Sequence, residues 1–353
     1  MKILVIQQQM IGDVLTSSIL FEALRLKYPK AQLDYLINEH TFPVVKNNPF
    51  IDNFIFFTKE IDSSKKTLYK FAKTIKRKKH DIIIDVYSKF SSSFITLLSG
   101  AKTKISKRKW YTSFIYSHTF KEAKIPKTNA GLAIENRLQF LEPLGINASE
   151  IYKPKIFLTD SEITKGKKLL EDKGIDLSKP LFMIAVLGSH ANKTYPLENM
   201  AKVIDNVVNE TNGQVLFNYI PNQETDAKNI FDLCNSTSKE HIFFDVFGNS
   251  LREFLTLTYH CNALIGNEGG ATNMAKALDK PTFTIFSTWI NKDSWNMFDN
   301  ETTNISVHLK DYKPNLYSEV THLKELKQDA KKLYSEFTQD LFEDQLKKFL
   351  KQF

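Results

Sequence analysis

Short, continuous apolar runs recur along the chain, separated by stretches in which apolar residues return at helical spacing. ILVI within residues 2–6, AQLDYLIN at 31–38, FIFF at 54–57 and DIIIDV at 81–86 are brief and rich in β-branched or aromatic side chains. Runs of this kind predict strands covered on both faces. Between them, Leu15, Ile19, Ala23 and Leu26 recur at the helical period and Pro29 closes the element. A helix is expected around 41–46. Leu68, Phe71, Ala72 and Ile75 form the inward stripe of a basic helix over 65–78. Strand–helix–strand repetition predicts a parallel, doubly wound sheet.

The rhythm breaks at 101–127, AKTKISKRKWYTSFIYSHTFKEAKIPK, where lysines and arginine interleave with Trp110, Tyr111, Phe114 and Tyr116. This reads as a surface loop region. It either meets an acidic or amphipathic acceptor at a membrane face, or is a solvated loop with its aromatics tucked into the domain. A helix with Leu132, Leu138 and Leu141 inward is predicted over 129–144, and the lysine-rich turn ending at Pro180 marks the best domain boundary. A second α/β set follows: strands at 181–189, 215–220, 242–247 and 263–266, with helices at 197–212 (stopped by Gly213) and 250–261. The tail, 320–353, reads as a long charged helix, straight or kinked, with Leu323, Leu326, Leu333, Phe337, Leu341 and Leu346 apolar.

Three places carry candidate chemistry. The stretch 264–286, LIGNEGGATNMAKALDKPTFTIF, reads as strand, glycine turn, helix and strand. Gly269 and Gly270 let a ligand approach the backbone, and the free N–H groups of the following helix favour an anion. The alternative is a tight turn with no ligand. Gly188 and Ser189 with Lys193, and then Glu224, also fall at strand carboxyl ends, which face one crevice in a doubly wound sheet. Lysine, hydroxyl and helix N-terminus suit a diphosphate, and a carboxylate such as Glu224 suits ribose hydroxyls. Taken singly, Lys193 reads equally as an exposed loop lysine and Glu224 as a first-turn helix charge. Gly12 and Asp13 stand at the first strand-to-helix junction, where Asp13 is either a helix N-terminal charge or a general base at a cleft mouth. No G-x-G-x-x-G is present there, which disfavours a dinucleotide turn.

Composition narrows the partners. The 353 residues are comfortable for two domains, and the net charge of +8 favours an anionic partner, or marks a lysine-rich solvated surface. No zinc-finger spacing or RNP motif supports nucleic acid. No apolar run is long enough to span a bilayer, no signal peptide precedes the first strand, and Cys234 and Cys261 make no C-x-x-C. The expected location is the cytoplasm, with both thiols reduced.

With these residues in view, the chain resembles glycosyltransferase family 9, the heptosyltransferases of lipopolysaccharide core synthesis. KILVIQQQMIGDVLTSSILFEALR is similar to the family's I-G-D-x-x-x-T opening, GSHANKTYPLENMAKVI to its Gly … Lys-x-Trp-Pro segment, and IGNEGGATNMAKALDKPTFTIF to its Asp-x-Gly-x-x-His-x-x-x-Ala-x-x-x-Pro pattern. The resemblance implies a GT-B fold: two Rossmann-like doubly wound α/β domains facing a central cleft. Residues 1–158 would bind acceptor and 159–325 the nucleotide-sugar donor. The helical tail, 326–353, would cross back onto the first domain.

It further implies an inverting, metal-independent transfer from an ADP-heptose-like donor to a lipopolysaccharide-core or other glycolipid acceptor, with no cofactor. The work would be done at the inner face of the cytoplasmic membrane, in peripheral contact with its anionic surface. Asp13 would be the base, with Gly12 on the acceptor side. Gly188, Ser189, Lys193, Gly269 and Gly270 would hold the diphosphate and Glu224 the ribose.

Three positions depart from the pattern. Glu268 stands for the family's Asp, Asn273 for its His and Tyr195 for its Trp. Asn273 donates a hydrogen bond but supplies no positive charge. Competing readings are a GT-B nucleotide-sugar epimerase and a non-catalytic nucleotide-sugar-binding protein.

Overall fold

The computed structural model describes residues 1–318 and 323–353. Val320, where the tail helix was expected to begin, lies outside the described residues, as does the side chain of Leu323. The chain divides into two compact units, Met1–Phe157 with Asp293–Met297, and Leu158–Lys292 with Phe298–Phe353. The short piece Asp293–Met297 thus leaves the span 159–325 expected for the second domain.

In the first unit the apolar runs become strands β1 (Lys2–Ile6), β2 (Gln32–Ile37), β3 (Asn53–Phe56) and β4 (Ile82–Asp85). Ile3, Leu4, Val5, Ile6, Ile83 and Ile84 are wholly buried, as strands covered on both faces must be. The basic stretch 101–127 is not a simple loop. It supplies β5 (Thr103–Lys107) and β6 (His118–Phe120), joined by a 3₁₀ turn, Ser113–Ile115. Lys102, Lys104 and Lys107 hide the apolar signal of β5, whose inward residues are Ile105 and Ser106. All pairings are parallel, in the order β3-β2-β1-β4-β5-β6. The winding reverses between β1 and β4, where Ile6 stands opposite Asp85.

In this unit three of the expected helices differ from expectation. The first is two, Ile11–Ser17 and Ile19–Lys27, divided at Ser18, whose hydroxyl donates to the Leu15 carbonyl at 2.7 Å and competes with the helical ladder. The helix expected at 41–46 is the 3₁₀ helix Glu39–Val44, with Pro43 inside it. That expected over 129–144 is Leu132–Leu138 followed by a 3₁₀ turn holding Pro143.

The second unit holds β7 (Leu181–Ala185), β8 (Gln214–Phe217), β9 (Ala263–Asn267), β10 (Thr282–Ile285) and β11 (Asn304–Val307). They form a parallel sheet in the order β11-β10-β9-β7-β8, reversing between β7 and β9. The strand expected at 242–247 makes a single bridge, Ile242 to Val215, because Phe244 and Phe247 turn onto the Tyr219 ring at 5.4 and 5.2 Å. The helix Leu197–Thr211 ends on Asn212, at φ 50°, one residue before the expected Gly213. Asn tolerates this left-handed position.

The tail corrects the expected crossover. Instead of one helix it forms Leu323–Gln328, Ala330–Ser335 and Glu343–Leu350. Its Phe337, Phe342, Leu346 and Phe349 are almost wholly buried in the core of the second unit, beside Phe283 and Tyr195. Phe353 meets Phe182 of β7 at 5.5 Å. The apolar face expected to pack on the first domain is therefore spent on the second domain's own sheet. Each such phenyl ring contributes about 2–3 kcal/mol of burial there.

Candidate active site

Ligands in open α/β sheets gather where the winding reverses, outside the strand carboxyl ends. Both reversal points here carry the residues singled out by sequence. Asp13 lies in the first turn of Ile11–Ser17, just beyond β1. The N-cap of this helix, Met10, makes no side-chain capping bond. Asp13 Oδ1 accepts from Arg137 Nη2 at 2.6 Å, with side chains 27% and 10% exposed respectively. Arg137 also donates through Nε to Ser17 Oγ at 2.8 Å and through Nη1 to the Ala133 carbonyl at 2.7 Å. Three bonds from one planar group fix the position of the carboxylate. Asp13 lines a cavity of about 420 Å³ with Gln7, Tyr87, Lys89, Lys107 and Arg137. Gly12 is not among the lining residues; its carbonyl accepts from Thr16 Oγ1 at 2.7 Å.

Sequence reasoning missed Arg137 and Asp85. Asp85 is wholly buried at the end of β4, accepting from Tyr116 Oη at 2.6 Å and from the Ser88 N–H at 2.8 Å. Burial pushes its carboxyl up to about 6 against the pull of those donors. The available signal was an aspartate closing an otherwise apolar strand.

In the second unit the organising residue is Asn267, also missed. Buried at the end of β9, its Nδ2 donates to the Ala185 and Val186 carbonyls, both at 2.9 Å, and its Oδ1 accepts from the Tyr195 N–H at 2.7 Å. One carboxamide thus ties the ends of β7 and β9 to the loop that carries Lys193. Gly188 has no room for a side chain, since a Cβ would stand 2.3 Å from the Lys193 carbonyl oxygen. Its own carbonyl accepts from Gln223 Nε2 at 2.8 Å, which brings the start of the Glu224 helix to the same loop. Trp289 Nε1 donates to the Asn192 carbonyl at 2.7 Å, and its ring lies 5.7 Å from Lys193 Nζ and 5.2 Å from Lys327 Nζ. Tyr195, where the family pattern has Trp, is wholly buried and donates to the Phe337 carbonyl at 2.8 Å. It is scaffold that joins this loop to the tail.

Lys193 Nζ lies 3.2 Å from Glu268 Oε1, with side chains 25% and 9% exposed. Oε1 is buried and, among the described residues, receives no well-directed hydrogen bond, so the pair is held mainly by charge. Gly269, at φ 156° and with open space where a Cβ would project, precedes the helix Gly270–Ala277. The first N–H groups of that helix precede its own ladder and point outward from its start. Asn273 is half-buried in that first turn, and Ser189 is exposed. Glu224 is exposed and lines a separate recess of about 690 Å³ with Lys228, Phe231, Phe244 and Asp245. Gly188, Lys193, Glu268, Gly269 and Gly270 are therefore brought together, with Glu224 joined to them through Gln223.

A sequence model of glycosyltransferase family 9 (heptosyltransferase) matches residues 68–322, well over half of the chain. The match takes in the second-domain site and leaves Asp13 outside it. Lipopolysaccharide heptosyltransferase 1 of Campylobacter coli is 25% identical over 305 residues, covering 81% of this chain and 84% of the relative. A crystal structure of a family 9 glycosyltransferase from Veillonella parvula superposes with a TM-score of 0.73 at 17% identity, covering 95% of this chain and 97% of that one. ADP-heptose LPS heptosyltransferase II of E. coli superposes with a TM-score of 0.68 at 16% identity, covering 96% and 99%. These likenesses show the fold, two parallel-sheet α/β domains of the GT-B kind. The chain belongs to glycosyltransferase family 9, the heptosyltransferase family, and is a glycosyltransferase.

Proposed function

We propose that this glycosyltransferase moves a heptose or related sugar from an ADP-heptose-like donor to a lipopolysaccharide-core or other glycolipid acceptor, with inversion and without a metal ion. The observation that carries the reading is the gathering of Lys193, Gly188, Glu268 and the open start of the helix Gly270–Ala277 at one sheet reversal point. Cation and helix N-terminus together suit a diphosphate. The relatives' names point to the donor and acceptor classes.

In this reading Asp13 takes the proton from the acceptor hydroxyl as that oxygen attacks the anomeric carbon. The bond from that carbon to the diphosphate breaks, and its electron pair leaves with the nucleotide. Lys193 and the helix N–H groups meet the charge that develops on the leaving oxygen, which is electrostatic stabilisation that needs no metal. Arg137 holds Asp13 in place. Asn273 adds a donor near the phosphates, Ser189 a hydroxyl, and Glu224 accepts from the ribose.

A thermal-shift screen against ADP-, GDP-, UDP- and CMP-sugars, followed by transfer assays with the stabilising donor, tests this. Stabilisation by an ADP-sugar, a product of inverted anomeric configuration by NMR, and turnover that survives excess chelator are expected. Stabilisation by none of them, retained configuration, or activity restored only by divalent ion would overturn the corresponding part.

A further inference from the structure

The charges at the second unit's reversal point leave a deficit. A diphosphate brings more than one negative charge, and Lys193 is already occupied by Glu268 at 3.2 Å. That pair contributes no net charge. Asn273, in the first turn of the helix Gly270–Ala277, is neutral, and the helix N–H groups supply only partial charge. A site for such an anion needs a further cation within reach.

The ring of Trp289 shows where that cation stands. Trp289 lies just beyond β10 and is half-buried. Its Nε1 and Ser287 Oγ both donate to the Asn192 carbonyl, at 2.7 and 3.1 Å, and Tyr317 Oη donates to the Thr288 carbonyl at 2.8 Å. These bonds fix the ring against the loop that carries Lys193. Two ammonium groups lie against it, Lys193 Nζ at 5.7 Å and Lys327 Nζ at 5.2 Å from its centre. Lys193 has a carboxylate partner, whereas Lys327 has none among the described residues. An indole face attracts a cation but offers no counter-charge, so two ammonium groups at one ring repel each other and leave a positive potential there.

The backbone at Lys327 is held in place. Leu326, beside it on the helix Leu323–Gln328, packs on the core of the second unit, and Ala330, Leu333 and Tyr334 just beyond are buried. The flexible stem of a lysine lets the ammonium group leave the ring for a ligand while that backbone stays put.

We propose that Lys327 is a second diphosphate-binding cation, carried by the tail and held at the Trp289 ring beside Lys193 until a nucleoside diphosphate arrives. Lys193 and Lys327 both meet the diphosphate oxygens, and Trp289 positions the two. The inference rests on the donor site proposed above and adds a side chain of the tail to it.

The test is titration calorimetry of the full chain with ADP, and separately with inorganic pyrophosphate, at low and high salt. Lys327→Gln should bind both about tenfold more weakly, as expected for one partly solvated ionic hydrogen bond. The difference should narrow at high salt, and Lys327→Arg, which keeps the charge, should restore most of the affinity. Lys168→Gln removes the same charge from an exposed position on the helix Asp160–Asp172 and should bind like the wild type. An unchanged melting temperature without ligand checks that Lys327→Gln is folded. Lys327→Gln that binds both ligands like the wild type, or Lys168→Gln that loses as much as Lys327→Gln, would overturn the proposal. Lys193→Ala separates it from the donor reading. Weaker ADP binding by Lys193→Ala with unchanged binding by Lys327→Gln keeps the donor site and removes Lys327 from it. Pyrophosphate binding without ADP binding, with the same loss in Lys327→Gln, supports the second cation and counts against an ADP-linked donor. A wild type that binds neither ligand overturns both.

Discussion

Replacing Glu268 by glutamine removes the charge that now occupies Lys193 while keeping the length of the side chain. At 3.2 Å and an effective dielectric of about 20, the gross attraction is about 5 kcal/mol. Lys193 is a quarter exposed, and desolvation of the carboxylate offsets much of the rest, so a net of about 1–2 kcal/mol remains. An incoming diphosphate must draw Lys193 away from this partner and sit near its negative charge. Glu268→Gln should therefore bind ADP about 5- to 30-fold more tightly by titration calorimetry. Lys193→Ala should bind it more weakly, and adding Glu268→Gln to Lys193→Ala should recover only a small part of the gain, because the two residues act as a pair. ADP affinity in Glu268→Gln equal to or below that of the wild type would refute the argument that Lys193 is the phosphate cation and Glu268 its competitor.

Two further outcomes are expected. Tyr195→Phe leaves the buried Phe337 carbonyl without its donor and should lower unfolding stability by about 1–3 kcal/mol by denaturant titration; an unchanged midpoint would mean that this bond does not hold the tail to the second domain. Burial raises the Asp85 carboxyl to about 6, so the folded state binds its proton more readily than the unfolded chain. The stability it contributes is present below about pH 4 and lost as pH rises through about 6, by up to roughly 3 kcal/mol. Asp85→Asn should remove that slope from the pH profile, and a slope that persists in the variant would place its origin elsewhere.

The fold was legible where apolar periodicity is strong. β1, β2, β4, β7 and β9 announce themselves because strands buried on both faces must be apolar throughout. β5 was hidden by the lysines that flank Ile105 and Ser106, and β6 by its length, three residues, His118–Phe120, with no apolar run. The run at 242–247 misled because phenylalanines that pack on Tyr219 look the same in sequence as those of a strand. The tail's amphipathic face was read correctly as a docking face but given the wrong partner, since periodicity says that a face is buried and never against what. In the candidate site, Gly188, Lys193, Glu268, Gly269 and Gly270, which the fold brings together, were legible because backbone approach and charge leave a local signature. Arg137 and Asn267 were not, because each acts through bonds to residues far away in sequence: Arg137 to Asp13 and Ser17, Asn267 to Ala185, Val186 and Tyr195. The pairing of Glu268 with Lys193 could not be read from either residue alone.

The central claim is that the Asp13 carboxylate, held by Arg137, is the base of a sugar transfer whose donor binds the other domain. The most direct measurement is single-turnover transfer by the wild type and Asp13→Asn, with the donor identified by the thermal-shift screen at saturation and its affinity measured separately. The account predicts a rate about 10²–10⁴-fold lower in the variant with donor affinity unchanged. A variant that transfers sugar within a few-fold of the wild-type rate would contradict it.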